Sequence, residues 1–87
     1  MRFDFRIVQK SKILRSTTVL DETEDTRTHK VFNALAKVCN QWDLAVPMWL
    51  DVNVKEFKAR SGTRFTADSF VEDIAFDYLS IEVLEED

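Results

Sequence analysis

The sequence predicts a single α+β domain in which one main amphipathic helix packs across a three- or four-stranded antiparallel sheet. Two segments with period-two alternation, one near each end of the chain, predict strands. Between them, residues 26–43 carry apolar side chains at helical spacing. The chain has 87 residues, so residues 1–87 are expected to form one small domain with one core.

An N-terminal β-hairpin is predicted for residues 1–20. Phe3, Phe5 and Ile7 alternate with charged residues, which is typical of a half-buried strand. After the polar segment 9–12, residues 13–20 resume with several β-branched side chains. Because segment 9–12 lacks glycine and any Asn-Gly pair, we expect a loop longer than a tight type I′ turn.

The main helix is predicted from an apolar stripe with spacings of four, three and four residues. The stripe comprises Val31, Leu35, Val38 and Trp42. An acidic cluster at residues 21–25 precedes it, and Asp25 or Thr26 is expected to cap the first turn. Pro47 disfavours helix at the residue before it, so the helix is expected to end near residue 43.

The second half of the chain leaves one element open. Residues 51–59 fit a short helix that starts at Asp51, but Val52 and Val54 also suit a strand. Ser61-Gly62 predicts a turn, because glycine takes positive φ freely. Residues 63–66 predict a short strand, and a turn or short helix follows it.

A C-terminal strand is predicted from the alternation of Leu79, Ile81 and Val83 with polar residues. We expect this strand to complete the antiparallel sheet and residues 85–87 to form a solvated tail.

The net charge of −4 is unevenly distributed along the chain. Residues 1–20 carry five basic residues and one acidic residue, whereas residues 61–87 carry one basic and eight acidic residues. Such asymmetry indicates either a binding arm or two ends that lie side by side. In the second case Arg2 and Arg6 would lie near Asp77, Glu82 and Glu85. Cross-strand pairs of opposite charge contribute roughly 0.2–1 kcal/mol each.

The composition argues against an enzyme and predicts no cofactor. The only cysteine, Cys39, and the only histidine, His29, lie ten residues apart on the predicted helix, about 15 Å in rise. They therefore cannot form a nucleophile–base pair. A single glycine excludes the glycine-rich nucleotide-binding loops. Asp25 and His29 share a helix face at i, i+4, but one histidine with carboxylates is a poor zinc ligand set, so no metal is expected.

A cytoplasmic location is predicted from three features. One cysteine cannot form an intramolecular disulfide, which favours a reducing compartment. The first residues have charges at alternate positions rather than the apolar stretch of a signal peptide. No apolar run approaches the ~20 residues that span a bilayer, so no membrane partner is expected.

Two functional hypotheses remain, beside a weaker third, a metal-dependent activity centred on Asp25 and His29. The first is a non-enzymatic accessory or protein-interaction domain, with a protein partner or a second copy of the chain, because Trp and Met are favoured at interface centres. The predicted interaction surface comprises Trp42, Met48, Trp49, Phe57, Lys58, Arg60, Arg64 and Phe65. The competing interpretation of the two tryptophans is that they cap the core.

The second hypothesis is single-stranded nucleic-acid binding through the basic hairpin and the basic segment 55–64. Aromatic side chains framed by basic ones on a sheet can stack bases. An isoelectric point near 4.9 and the lack of an RNP-like motif argue against it.

Three segments carry a family resemblance. They are residues 47–50 (Pro-Met-Trp-Leu), 64–70 (Arg-Phe-Thr-Ala-Asp-Ser-Phe) and 76–79 (Phe-Asp-Tyr-Leu). Together they resemble a family of small uncharacterised bacterial proteins with no assigned function. The resemblance lies mainly in the second half of the chain and implies a free-standing small protein, without an activity, cofactor or site.

Overall fold

Two helices pack on one face of a four-stranded antiparallel sheet in the computed structural model, which describes all 87 residues. The strands are β1 (Arg2–Gln9), β2 (Lys12–Leu20), β3 (Gly62–Phe65) and β4 (Tyr78–Glu85), in the spatial order β2-β1-β4-β3. The helices are α1 (Arg27–Gln41) and α2 (Asp51–Arg60), and a short 3-10 helix covers Ala67–Ser69. The predicted α+β fold is confirmed, with its N-terminal hairpin, main helix and C-terminal strand.

The two central strands, β1 and β4, form the floor of the core. They pair antiparallel, with Phe5 opposite Ile81 and Ile7 opposite Leu79. These four side chains are buried on the face that the helices cover. Alternation therefore sends the intervening polar side chains of both strands to the opposite face, which no helix covers.

The helix boundaries follow from local hydrogen bonds. Thr26 caps α1, because its Oγ1 accepts a hydrogen bond from the His29 N–H at 3.2 Å. Residues 51–60 form a helix rather than a strand. The Asn53 side chain supports the start of α2, since its Oδ1 accepts a hydrogen bond from the Leu50 N–H at 3.0 Å.

The hairpin turn differs from the expected longer loop. β1 and β2 are joined by Lys10 and Ser11 alone, with φ values of 50° and 65°. The expectation was wrong because the hydrogen bonds between β1 and β2 and one distant contact offset the backbone strain of the two positive φ angles. Asp77 Oδ2 accepts a hydrogen bond from the Lys10 N–H at 2.7 Å and anchors the turn to the start of β4.

Replacing the turn by Lys10→Asn with Ser11→Gly is expected to raise the free energy of unfolding by about 1–2 kcal/mol. The left-handed conformation costs an ordinary residue roughly 1–2 kcal/mol, and Asn-Gly adopts it readily. Urea unfolding measures the change, with Lys12→Asn, outside the turn, as the control. A double variant no more stable than the original chain would contradict this account of the turn.

The role of Gly62 also differs from the prediction. Ser61, with φ of 55°, takes the left-handed conformation that ends α2, and Gly62 itself has no positive φ. Glycine is instead favoured by space, because a Cβ would require the neighbouring strand to shift by a few tenths of an ångström. A Cβ at position 62 would lie 3.1 Å from the carbonyl oxygen of Ile81 on the neighbouring strand.

The oppositely charged ends of the chain lie side by side. Arg2 pairs with Glu85 across β1 and β4 at 3.3 Å. Arg6 does not reach β4 carboxylates and pairs instead with Asp4, two residues away on its own strand, at 2.8 Å.

The predicted tail is exposed, as expected, but its last two carboxylates are ion-paired with the rest of the chain. Glu86 Oε1 accepts a hydrogen bond from Arg27 Nε at 2.8 Å. The Asp87 carboxylate pairs with the N-terminal amine at 2.5 Å and with the buried Lys30 ammonium. These hydrogen bonds, from Lys30 first and the amine second, hold the pKa of Asp87 below its ordinary value.

Candidate functional site

An apolar groove of about 210 Å³ runs between the two helices on the outer side of the helical layer. Five of its side chains are apolar or aromatic and two are basic: Val31, Phe32, Trp49, Val54, Phe57, Arg27 and Lys58. We call it the α1–α2 groove. Phe32 is 48% exposed and Val54 is 37% exposed, whereas Phe57 is buried at 7%. The groove thus presents apolar walls to solvent above a buried aromatic floor.

Trp49 is held in the groove by aromatic contacts on several sides. Its ring packs edge-to-face against Phe57 at 5.4 Å and Phe65 at 4.9 Å between centroids, and against Phe32 at 6.0 Å. Its indole Nε1 is buried and has no hydrogen-bond partner. Trp49 therefore contacts the core at Phe65 on one side and the exposed groove wall at Phe32 on the other.

The segment between the helices places Trp49 at this position. Pro47 keeps the preceding residue extended, and the Met48 N–H donates a hydrogen bond to the Ser69 carbonyl at 2.7 Å. This tether brings the connection against the 3-10 helix just before Trp49. Pro47 and the backbone hydrogen bond of Met48 thus position the Trp49 ring in the groove.

A buried asparagine attaches α2 to the sheet. Asn53 Nδ2 donates hydrogen bonds to Thr63 Oγ1 at 3.0 Å and to the Arg64 carbonyl at 2.9 Å. Asn53 Oδ1 accepts from the Leu50 N–H and, at 3.3 Å, from Ser69 Oγ. The whole side chain is 1% exposed, so it ties the helix start, the 3-10 helix and β3 together away from water.

The rim of the α1–α2 groove is positively charged. Arg27 lies over the Phe57 ring at 5.2 Å from its centroid and donates to Glu86, and that hydrogen bond raises the pKa of Arg27 above its ordinary value. Lys58 is exposed and forms no ion pair. Of the basic residues of α1, Arg27 is paired with Glu86, Lys30 is buried against Asp87, and Lys37 lies away from the groove. Lys58 is therefore the unpaired positive charge of the rim to which a carboxylate of an incoming molecule would be attracted.

The structure brings only part of the predicted interaction surface together. Trp49, Phe57 and Lys58 line the groove, and Met48 is exposed next to Trp49 in the chain. Trp42 packs half-buried against the core, and Phe65 is fully buried beneath Trp49. Both tryptophans thus pack against the core.

The remaining two predicted residues lie elsewhere. Arg60 and Arg64 line a depression of about 780 Å³ that includes the uncovered face of the sheet. Five groove residues were absent from the predicted surface, namely Arg27, Thr28, Val31, Phe32 and Val54. The position of Phe32 beside the main apolar stripe of α1 indicates an apolar side chain at the edge of the core. The position of Val54 indicates the same only when residues 51–59 form a helix.

The depression on the sheet carries mixed charge. The register sets Arg6 on β1 and Arg64 on β3 on either side of Ser80, while Asp4 faces Glu82 in the adjacent row. Its charged side chains are three basic and three acidic: Arg6, Arg60, Arg64, Asp4, Asp77 and Glu82. This balance gives the face no net attraction for a polyanion.

The aromatic side chains of the strands are unavailable for base stacking. Phe3, Phe5 and Phe65 are fully buried on the helix-covered face. Tyr78 lines the depression, and the Arg64 guanidinium lies over its ring at 4.5 Å. The basic residues of the nucleic-acid hypothesis are therefore accessible, but the phenylalanines that were expected to stack on bases are buried.

Two further sequence candidates have structural roles. Asp25 Oδ1 lies 2.9 Å from His29 Nδ1 and accepts the Thr26 N–H, and these bonds hold the pKa of Asp25 below its ordinary value. No group of three or more His, Cys, Asp or Glu side chains is arranged to hold a metal ion. Cys39 is fully buried, and burial raises its pKa to about 11, so at neutral pH it is a protonated thiol rather than a nucleophile.

Comparison of the chain with protein-family models, curated proteins and solved structures returned no match. No activity, ligand or partner is therefore transferred from another protein. Neither helix has the length and apolar content needed to cross a bilayer.

Proposed function

We propose that the protein is a non-enzymatic interaction module that binds a partner protein in the α1–α2 groove. The observation that carries this proposal is the exposure of the groove walls. Phe32 leaves about half of its surface in water, although it packs against Trp49 at the edge of the core. Solvent-exposed apolar patches beside an ordered aromatic are typical of protein-binding surfaces.

The size of the groove favours a protein segment over a small molecule. Small-molecule pockets usually enclose about 300–1,000 Å³. The groove, at about 210 Å³, is smaller and suits one or two apolar anchor side chains of a partner. The unpaired positive charge of Lys58 on the rim favours carboxylates next to those anchors. The proposed partner therefore presents an apolar segment flanked by acidic residues.

Affinity capture with matched variants tests the proposal. We expect the tagged full-length chain to retain at least one protein from its source cells that Phe32→Asp and Val54→Asp both fail to retain. Val71→Asp is the control, because Val71 is 79% exposed and lies outside the groove. If all four chains retain the same proteins, or none retains any specifically, the groove is not a binding site.

The charge of the rim gives a second, graded prediction. Lys58→Glu is expected to weaken binding of the captured protein by about fivefold at low salt, since a surface ion pair contributes up to about 1 kcal/mol. Lys37→Glu is the matched control, because Lys37 lies on another side of α1 beside Asn33. Calorimetric titration at two salt concentrations measures both. Equal weakening by the two variants would rule out a specific role for the rim.

A further inference from the structure

We propose that β2 pairs antiparallel with β2 of a second copy of the chain, which joins two four-stranded sheets into one sheet of eight strands. β2 is nine residues long and stands at the edge of the sheet, with β1 as its only neighbour. This surface is separate from the α1–α2 groove, so the inference goes beyond the proposed partner binding.

The register identifies which backbone groups of β2 are free. Met1 and Asp21 exchange backbone hydrogen bonds at 2.7 and 2.8 Å. Bonded and non-bonded pairs alternate along an antiparallel ladder. Arg2 and Leu20 form the next pair after Met1 and Asp21, so they are a non-bonded pair. The same alternation makes Thr18 and Ser16 non-bonded positions. Their N–H and C=O groups therefore point away from β1, to the open side.

This stretch of β2 lacks the features that normally protect an edge strand. Residues 16–20 contain no proline and no charged side chain. The register shift opposite residues 7 and 8 of β1 interrupts only the beginning of β2. The open backbone is thus regular and accessible where its side chains are smallest, at Ser16, Thr17 and Thr18.

The other edge of the sheet is short and partly covered. β3 has four residues, and the outward carbonyl of Arg64 already accepts a hydrogen bond from Asn53 of α2. One copy therefore offers one open edge, and pairing through it closes a two-fold dimer rather than an open filament.

Charge favours a second copy of this chain as the occupant. Lys10 and Lys12 stand at the beginning of β2, and Glu22 and Glu24 lie just beyond its end. All four side chains are exposed, and none forms an ion pair within the chain. Antiparallel self-pairing sets the basic end of each copy against the acidic end of the other.

One register sets the basic and acidic ends of two copies side by side. With Thr17 on the two-fold axis, Ser16 faces the partner's Thr18. Beyond Arg15 the register shift at Leu14 ends the regular ladder, and the segment with Lys10 and Lys12 lies alongside the partner's Glu22 and Glu24. Arg15 faces the partner's Val19, so the two Arg15 side chains lie four residues, about 14 Å, apart along the strands. This register avoids direct opposition of like charges.

Sedimentation equilibrium of the full chain over a concentration series tests the dimer. We expect a mass of twice 10.2 kDa at high concentration and a dimer weakened at least tenfold by Thr18→Pro, which removes an outward N–H. Phe32→Asp should leave the dimer unchanged. A monomer at every concentration, a dimer insensitive to Thr18→Pro, or a dimer lost in Phe32→Asp would overturn the inference.

A charge swap separates pairing from damage to the fold. Lys12→Glu and Glu22→Lys should each weaken the dimer by about fivefold at low salt, because each changes two symmetric contacts. The double variant should restore the original dissociation constant, since each chain then presents the reversed pair. A double variant as weak as either single variant would also overturn the inference.

Discussion

Asn53→Ala is expected to lower the free energy of unfolding by about 3–5 kcal/mol. The Asn53 side chain satisfies a partly buried helix-start N–H and the partly buried Arg64 carbonyl, and it bonds the buried hydroxyl groups of Thr63 and Ser69. Each buried polar group left without a partner costs about 1–3 kcal/mol. Urea unfolding followed by circular dichroism measures the loss.

Asn33→Ala is the control for this prediction. Asn33 is exposed on α1, and alanine has the higher helix propensity, so its stability should change by less than about 0.5 kcal/mol. Because Asn53 also fixes α2, the Asn53 variant should bind the captured partner more weakly even when folded. If both asparagine variants had equally small effects, α2 would not depend on this network.

Phe65→Ala is expected to lower the free energy of unfolding by about 3–5 kcal/mol, the range for deleting a buried aromatic ring. Phe65 is fully buried and supports Trp49 edge-on at 4.9 Å. The variant leaves a cavity beneath the groove floor, so Trp49 should also become more exposed and its fluorescence emission should shift to the red. Urea unfolding and emission spectra measure the two effects.

Phe32→Ala provides the matched comparison, because the same ring at the groove wall is about half exposed. Its cost should stay near 1 kcal/mol, since little cavity forms where solvent already reaches the ring. The contrast separates the structural phenylalanine from the one proposed to contact a partner. Equal costs for the two variants would contradict this division of roles.

The elements that could be predicted from the sequence are those with long, regular apolar periodicity. β1 and β4 show the period-two pattern, and the stripe of α1 spans three turns, so burial on one face is encoded locally. α2 could not be assigned because Val52 and Val54 have the spacing of a strand, whereas Val54 and Phe57 have the spacing of a helix. Its helix is stabilised by Asn53, whose partners Thr63 and Ser69 lie 10 and 16 residues further along the chain, in the next two elements.

The features that the sequence did not predict depend on distant contacts. The two-residue turn is anchored by Asp77, 67 residues away in the chain. The preference for Gly62 comes from the carbonyl of Ile81 on β4. The ordered end of the chain depends on Lys30, an ammonium group buried on the helix stripe. Local composition carries no signal for any of these three contacts.

The candidate site was predicted only in part, because the packing of distant elements decides which of its side chains are exposed. The preference of Trp and Met for interface centres predicted an interaction surface that includes Trp49 and Phe57, and these two residues do line the α1–α2 groove. The sequence could not separate Phe65, which supports the groove from below, from Phe32, which forms its wall. That distinction depends on how α1 and α2 pack on the sheet.

The most direct test of partner binding in the α1–α2 groove is site-specific photo-cross-linking with the full-length chain in its source cells. A photoreactive residue at position 54 should cross-link to a distinct protein, and Lys58→Glu should reduce that product. The same photoreactive residue at position 71, outside the groove, should give none. Cross-linking from position 71 to the same protein, or no specific product from position 54, would contradict the account.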